Sequence, residues 1–275
     1  MSFPGSSRRR KIRKVIGKNM SVLYDVEEEK KYVFTKKISC TNCGAAFEDL
    51  RVLNSKLRRK EPDMDLRPRF QFIDTLKYGV TSCPYCGFSA SVKNFEKLTS
   101  LQQKRIREKV TSQFMQRQPL HGGTIDYATA MAQYELALVC AMVMELPLSE
   151  QAYLCLQLSW LIRGRLEEAD AEPGILEEEG YKHLKEKEER YYRQAYDSLS
   201  KAFSQEDFPI CGMDQTTFDY LLAVMSFHFK EYDLATRYCG NIVQTKGVSA
   251  KLKDKALMLK DEILAAKKAE EEAAG

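Results

Sequence analysis

Cys40-Thr41-Asn42-Cys43-Gly44 and Cys83-Pro84-Tyr85-Cys86-Gly87 are two copies of one pattern, a pair of cysteines two residues apart with glycine behind it. Two intervening residues make a turn tight enough to aim both sulfurs at one point. The glycine supplies a position of positive φ without steric conflict. Backbone N–H groups of such a turn point at the thiolates and lower their basicity. Two turns of this kind complete a four-sulfur tetrahedron, the closed coordination of a structural zinc ion.

The flanks support the pairing. Lys31–Ser39 leads into the first pair and Ala45–Leu53 leads out; Leu76–Ser82 leads into the second and Phe88–Val92 leads out. These short runs of Val, Ile, Phe, Tyr and Thr around glycine turns predict two hairpins, the plan of a zinc ribbon. Cys40, Cys43, Cys83 and Cys86 are therefore the candidate ligands of one structural Zn2+. A redox dithiol is an alternative, but it needs a thioredoxin-like βαβ setting that the flanks lack. An iron–sulfur cluster suits soft thiolates too. A catalytic zinc leaves one position open to water, and four thiolates leave none. His121, beside Gly122-Gly123, reads as a loop residue rather than as a substitute ligand.

Between the pairs lie 39 residues, more than the ~15–20 of a minimal ribbon. Within this insert, Lys56, Arg58, Arg59, Lys60, Arg67 and Arg69 alternate with Glu61, Asp63 and Asp65. Lys56, Arg58, Arg59, Arg67 and Arg69 are candidate contacts for a phosphate or other ligand, with Phe70 and Phe72 available for stacking. The plainer expectation is a solvated hairpin laced by ion pairs, each worth about 0–1 kcal/mol.

The order Cys-x-x-Cys-Gly, Ser55-Lys56-Leu57, an Asp-rich turn at 63–65, a strand, then Cys-Pro-Tyr-Cys-Gly-Phe resembles a bacterial family known as domain of unknown function 2225. The resemblance spans residues 20 to 250, and Ser-Lys-Leu and Cys-Pro-Tyr-Cys-Gly-Phe are its most specific parts. It implies a bacterial cytoplasmic protein with a cysteine-rich N-terminal module and a helical C-terminal half. It brings no activity with it. The segment before Met20 departs from the usual family start, which makes Met20 a candidate initiator.

From residue 95 the periodicity turns helical. Ser100-x-x-Gln103 fits a capping box, and Ile106, Val110 and Phe114 follow at four-residue spacing. Helices are predicted over 124–145, from Ser149 onward, after an acidic linker at 167–179, over 214–230, over 234–244 and over 249–267, with a frayed tail behind. Ala235, Cys239 and Ile242 fit the second helix of a tetratricopeptide-like pair. Ala152 holds a comparable place, but 83 residues earlier, which is no multiple of the ~34-residue repeat. Cys140, Cys155 and Cys239 read as small buried hydrophobes; Cys211, in a loop, is the one to test for reactivity.

The chain has 275 residues, with 44% hydrophobic and 30% charged, and suits an ordinary globular protein. Its net charge of +4 conceals a split, because residues 1–19 carry +7 without an acid and leave −3 for the rest. That tail is a candidate hook for nucleic acid or anionic lipid. The longest apolar run, Leu136–Met144, is nine residues, too short to span a membrane. The fold class expected is α+β, mostly α. A basic disordered tail (1–20) precedes a zinc-ribbon-like module (21–93), an all-helical tetratricopeptide-like domain (94–268) and a disordered end (269–275). There is no phosphate-binding glycine loop, nucleophile elbow or His-Glu-x-x-His. The expectation is a cytoplasmic, non-enzymatic protein whose helical half receives a protein or peptide. Nucleic-acid association through the tail and residues 56–69, and thiol redox chemistry, are the alternatives.

Overall fold

The computed structural model describes residues 24–120 and 122–274. The basic tail and His121 lie outside them. After a one-turn helix over Val26–Glu29, the chain forms β1 (Val33–Ser39) and β2 (Ala46–Val52), an antiparallel hairpin with Ile38 opposite Phe47. A second hairpin, β3 (Val80–Ser82) with β4 (Ser89–Ser91), places Ser82 opposite Ser89. Among the described residues seven helices follow: α1 (Ser100–Lys109), α2 (Tyr127–Val143), α3 (Leu148–Ala171), α4 (Glu178–Gln205), α5 (Gln215–His228), α6 (Tyr232–Gln244) and α7 (Ala250–Ala274). The fold is α+β and mostly α.

Two apolar cores organise these elements. The smaller gathers Ile38, Phe47, Phe88, Phe95, Ile106 and Met144 around the cysteine pairs, with Phe88 and Phe95 stacked at 5.0 Å. The larger runs through α2 to α7, and it also takes in Leu50, Phe70, Ile73, Leu76 and Tyr78 from the stretch between the pairs. The insert is thus packed against the helical body, α2 lies on the β3–β4 hairpin, and α3 packs along α4.

Several elements depart from the sequence expectation, each for a local reason. The box that opens α1 is Thr99 with Gln102, one residue earlier than predicted: Gln102 N–H bonds Thr99 Oγ1 at 3.3 Å, and Thr99 N–H bonds Gln102 Oε1 at 3.1 Å. Ser149, whose place at the predicted start of α3 makes it the expected N-cap, does not cap the helix. It lies inside the first turn, and its N–H and hydroxyl both donate to Glu206. Thr75–Tyr78 forms a 3-10 turn where a strand was predicted, because Asp74 Oδ1 accepts the Leu76 N–H at 3.0 Å. The link between α3 and α4 is shorter than the predicted 167–179: it covers 172–177, and the acidic residues on either side belong to the two helices. The predicted frayed end is the last part of α7, tied back by Lys267 to Asp233 and by Lys230 to Glu270.

Candidate metal centre

Each cysteine pair forms the turn of its hairpin, and the two turns share one hydrogen-bond pattern. Cys40 N–H bonds Ala45 O at 2.9 Å and Gly44 N–H bonds Cys40 O at 2.8 Å. In the second turn Cys83 N–H bonds Phe88 O at 2.9 Å and Gly87 N–H bonds Cys83 O at 3.0 Å. Gly44 and Gly87 hold φ of 78° and 75°, the left-handed region where any Cβ is strained.

The four sulfurs lie within 4.8 Å of one another. Cys40 Sγ stands 3.6 Å from Cys86 Sγ, and Cys43 Sγ 3.7 Å from Cys83 Sγ, so the two turns interlock sulfur to sulfur. None is in a disulfide. A tetrahedral ion with bonds of about 2.3 Å separates its sulfurs by roughly 3.8 Å, so the four thiols already stand close to one coordination sphere. Cys40, Cys83 and Cys86 are buried and Cys43 is exposed, which gives the centre one solvent-facing ligand.

Donors surround the sulfurs. The nearby N–H groups of Cys43, of Cys86 and Tyr85, and of Phe88 favour the thiolates of Cys40, Cys83 and Cys86 in turn, while the sulfur contacts push the Cys40 thiol up. The Cys86 thiol is driven down by its sulfur neighbours Cys40 and Cys83, then by Phe88 N–H and the Asn42 amide. The Asn42 Nδ2 donates to Cys86 Sγ at 3.3 Å and to Thr111 Oγ1 at 3.1 Å. Buried donors pointed at sulfur are the chemistry that thiolates require.

The helical segment clamps both turns. Gln103 Nε2 donates to the carbonyls of Thr41 and Asn42, each at 2.9 Å, and Arg107 Nη2 reaches Asn42 O at 2.7 Å. Thr111 Oγ1 donates to Cys86 O at 3.0 Å. Cys140 Sγ, on α2, accepts the Ser89 N–H at 3.4 Å and contacts Gly87 O at 3.7 Å. Sequence reasoning missed Asn42, Gln103, Arg107 and Thr111 as parts of the site. Asn42 was visible as the polar residue between two ligands. Gln103 was masked because the predicted capping box claimed it.

The structure does not gather the five basic candidates of the insert at one place. Lys56, Arg58 and Arg59 are exposed. Arg67 is 1% exposed and pairs with Asp74 at 3.3 Å and Glu167 at 3.1 Å. Arg69 Nε meets Asp63 at 2.8 Å, and its Nη1 bonds Glu167 at 2.7 Å. Next to them, buried Asp65 accepts from Trp160 Nε1 at 2.9 Å and Arg163 Nη1 at 2.8 Å. Burial pushes the Asp65 carboxyl up, but the Arg163 charge and these hydrogen bonds outweigh it and hold the group below its ordinary range. The ion pairs of Asp65, Arg67 and Arg69 fasten the insert to α3 in the interior, whereas Glu61 pairs at the surface with Lys251 and Lys255 of α7. Phe70 is buried, and Phe72 stacks on Tyr32 at 5.5 Å.

Of the other cysteines, Cys140, Cys155 and Cys239 are buried and Cys211 is half-buried. Burial pushes their thiols up, Cys140 and Cys155 to about 12 and Cys211 and Cys239 to about 11. His183 is exposed, and His228 bonds Glu189 at 2.9 Å at the surface. Neither joins the cysteine cluster.

Fold and site together define a largely helical protein with an N-terminal four-cysteine centre able to hold one metal ion. The chain belongs to a bacterial family described as an uncharacterized protein conserved in bacteria (DUF2225), whose model matches residues 33–263. No curated protein and no solved structure matches it. Among the described residues, no helix is long and apolar enough to cross a membrane.

Proposed function

We propose that this chain is a non-enzymatic, cytoplasmic interaction protein. One structural Zn2+, on Cys40, Cys43, Cys83 and Cys86, holds a zinc-ribbon-like module, and the tetratricopeptide-like helical half receives a partner protein or peptide. The observation that carries this reading is the convergence of four reduced thiols within one coordination sphere. A multi-iron cluster spreads its thiolates over several metal atoms, whereas sulfurs within 4.8 Å of one another suit a single ion. Free thiols fit a reducing compartment. The consecutive packing of α5, α6 and α7 supports the helical-repeat reading.

Metal analysis of freshly purified protein tests the zinc assignment. The expected result is one zinc per chain, with chelation unfolding the knuckles, since a structural zinc supplies about 10–16 kcal/mol of apparent binding energy. A folded, metal-free protein whose thiols cycle reversibly to a disulfide would overturn it and favour redox chemistry. For the partner, cross-linking of the full chain in a bacterial lysate should place cross-links on α4 to α7; cross-links confined to the hairpins would count against a helical docking surface.

Nucleic-acid association is a second reading. It is favoured by Lys56, Arg58, Arg59 and Lys60, which are all exposed and, among the described residues, make no ion pair. Filter binding at two salt concentrations, with and without residues 1–19, decides it. Phosphate contacts predict a steep loss with salt, and no binding by either form at low salt eliminates the idea.

A further inference from the structure

A cleft of about 820 Å³ lies between the β3–β4 hairpin, the ends of α2 and α3 that meet at Pro147, and the loop after α4. This is the size of a small-molecule site. Its floor is made by Ala90, Ala137, Ala141, Met144 and Leu154, all buried. Three alanines in that floor leave open space that larger side chains would fill.

The rim is polar, and its charges are not equally engaged. Glu206 accepts the N–H of Ser149 at 2.9 Å and also its hydroxyl, and so caps the N-terminus of α3, whose partial positive charge offsets the carboxylate. Glu150 accepts from Asn94 Nδ2 at 3.0 Å. Lys93 and Lys97 line the same cleft, are exposed, and make no ion pair among the described residues. Glu150 and Glu206 are each held by neutral hydrogen-bond donors, and the two charges of the cleft whose side chains have no hydrogen-bond partner among the described residues, Lys93 and Lys97, are both cationic.

We propose that this cleft binds a small amphiphilic anion, with an apolar body on the alanine floor and a carboxylate held by Lys93 and Lys97. The binding goes beyond the interaction role proposed above and does not depend on which metal fills the cysteine centre.

Cys211 supplies an internal reporter. It lines the cleft, is half-buried, and its Sγ donates to Ser149 O at 3.3 Å. Alkylation of Cys211 by iodoacetamide in the metal-loaded full chain, at mildly alkaline pH, is followed by peptide mass spectrometry with decanoate as the probe. At about ten times its Kd, decanoate should slow this alkylation about tenfold by mass action. Decanol, which lacks the charge, should protect far less. The double variant K93E/K97E should lose protection by decanoate while keeping its melting temperature, because both side chains are exposed. Failure of decanoate to protect up to its solubility limit would overturn the proposal. Equal protection by decanol, or full protection in the double variant, would overturn the anionic assignment. The decanol comparison stands by itself should the variant fold poorly.

Discussion

Replacing Asn42 with alanine removes one side-chain amide from the back of the metal centre and leaves every cysteine in place. The amide is 1% exposed and donates to Cys86 Sγ at 3.3 Å. The clamp on the turn survives, because Gln103 and Arg107 bond the main-chain carbonyl of residue 42 and not its side chain. Thr111 keeps its bond to Cys86 O. The change removes the amide–sulfur bond together with the amide's bond to Thr111 Oγ1 at 3.1 Å, but the latter joins two neutral groups with and without metal and so drops out of the metal affinity. A hydrogen bond to a charged acceptor contributes about 1.5–3 kcal/mol, and one to a neutral thiol about 0.5–1.5. The difference, about 1–2 kcal/mol, is what metal binding gains when the thiol becomes a thiolate. That converts to a five- to thirtyfold weaker Kd at about 1.4 kcal/mol per decade, within the ~10–100-fold range of outer-shell changes at metal sites. Competition with a chromogenic chelator at neutral pH measures it, with far-UV circular dichroism as the control for folding. A zinc affinity within twofold of the parent protein (about 0.4 kcal/mol), with the fold intact, would refute the claim that Asn42 stabilises the thiolate.

The two knuckle glycines should separate in a thermal melt. Gly44→Ala meets open space and loses only the left-handed backbone preference, about 1–2 kcal/mol, whereas at Gly87 a Cβ would also sit 2.5 Å from Phe114 Cδ2, so Gly87→Ala should lower the melting temperature further; equal shifts would mean that Phe114 yields freely. In denaturant titrations Arg67→Met should lose about 3–5 kcal/mol, because Asp74 is left buried without its cation while Glu167 keeps Arg69, whereas Arg59→Ala on the exposed face should stay within about 0.5 kcal/mol; a small effect at Arg67 would contradict the fastening role. Asp219 is 2% exposed, its Oδ1 has no partner, and burial raises its carboxyl to about 6. A group whose folded pKa lies above its unfolded one costs the fold stability that grows as pH rises from the unfolded value and is complete above the folded value, so Asp219→Asn should stabilise by about 2–3 kcal/mol above pH 7 and the gain should vanish below pH ~4; a gain equal at both ends of that range would show that ionisation is not its source.

Acid should also weaken the union of insert and helical body. The Glu167 carboxyl is held low despite burial, by Arg69 hydrogen bonds and the charges of Arg67, Arg69 and Arg163. Like Asp65, it adds stability above its unfolded pKa that is lost as pH falls through the lowered folded value. Both carboxylates lie where the insert meets α3, so that junction loosens as the pH falls.

The four cysteines of the candidate metal centre could be read from the chain because their signal is local. A Cys-x-x-Cys-Gly turn makes its own geometry within five residues, and two copies beside β-branched runs define two hairpins whatever lies elsewhere. Helical periodicity was legible for the same reason. Tertiary structure alone decided which polar groups serve those elements. Arg67 and Arg59 are alike as sequence, eight positions apart in one basic stretch; only the approach of Asp74 and of Glu167, a hundred residues later, buries one and leaves the other in water. Gln103 could cap a helix or clamp a knuckle, and the neighbouring Gln102 took the first task and freed it for the second. Ser149 lost its capping role to Glu206, which lies far off along the chain. Partners distant in sequence carry no local periodicity, so the chain encodes them only through the packing that brings them within hydrogen-bond reach.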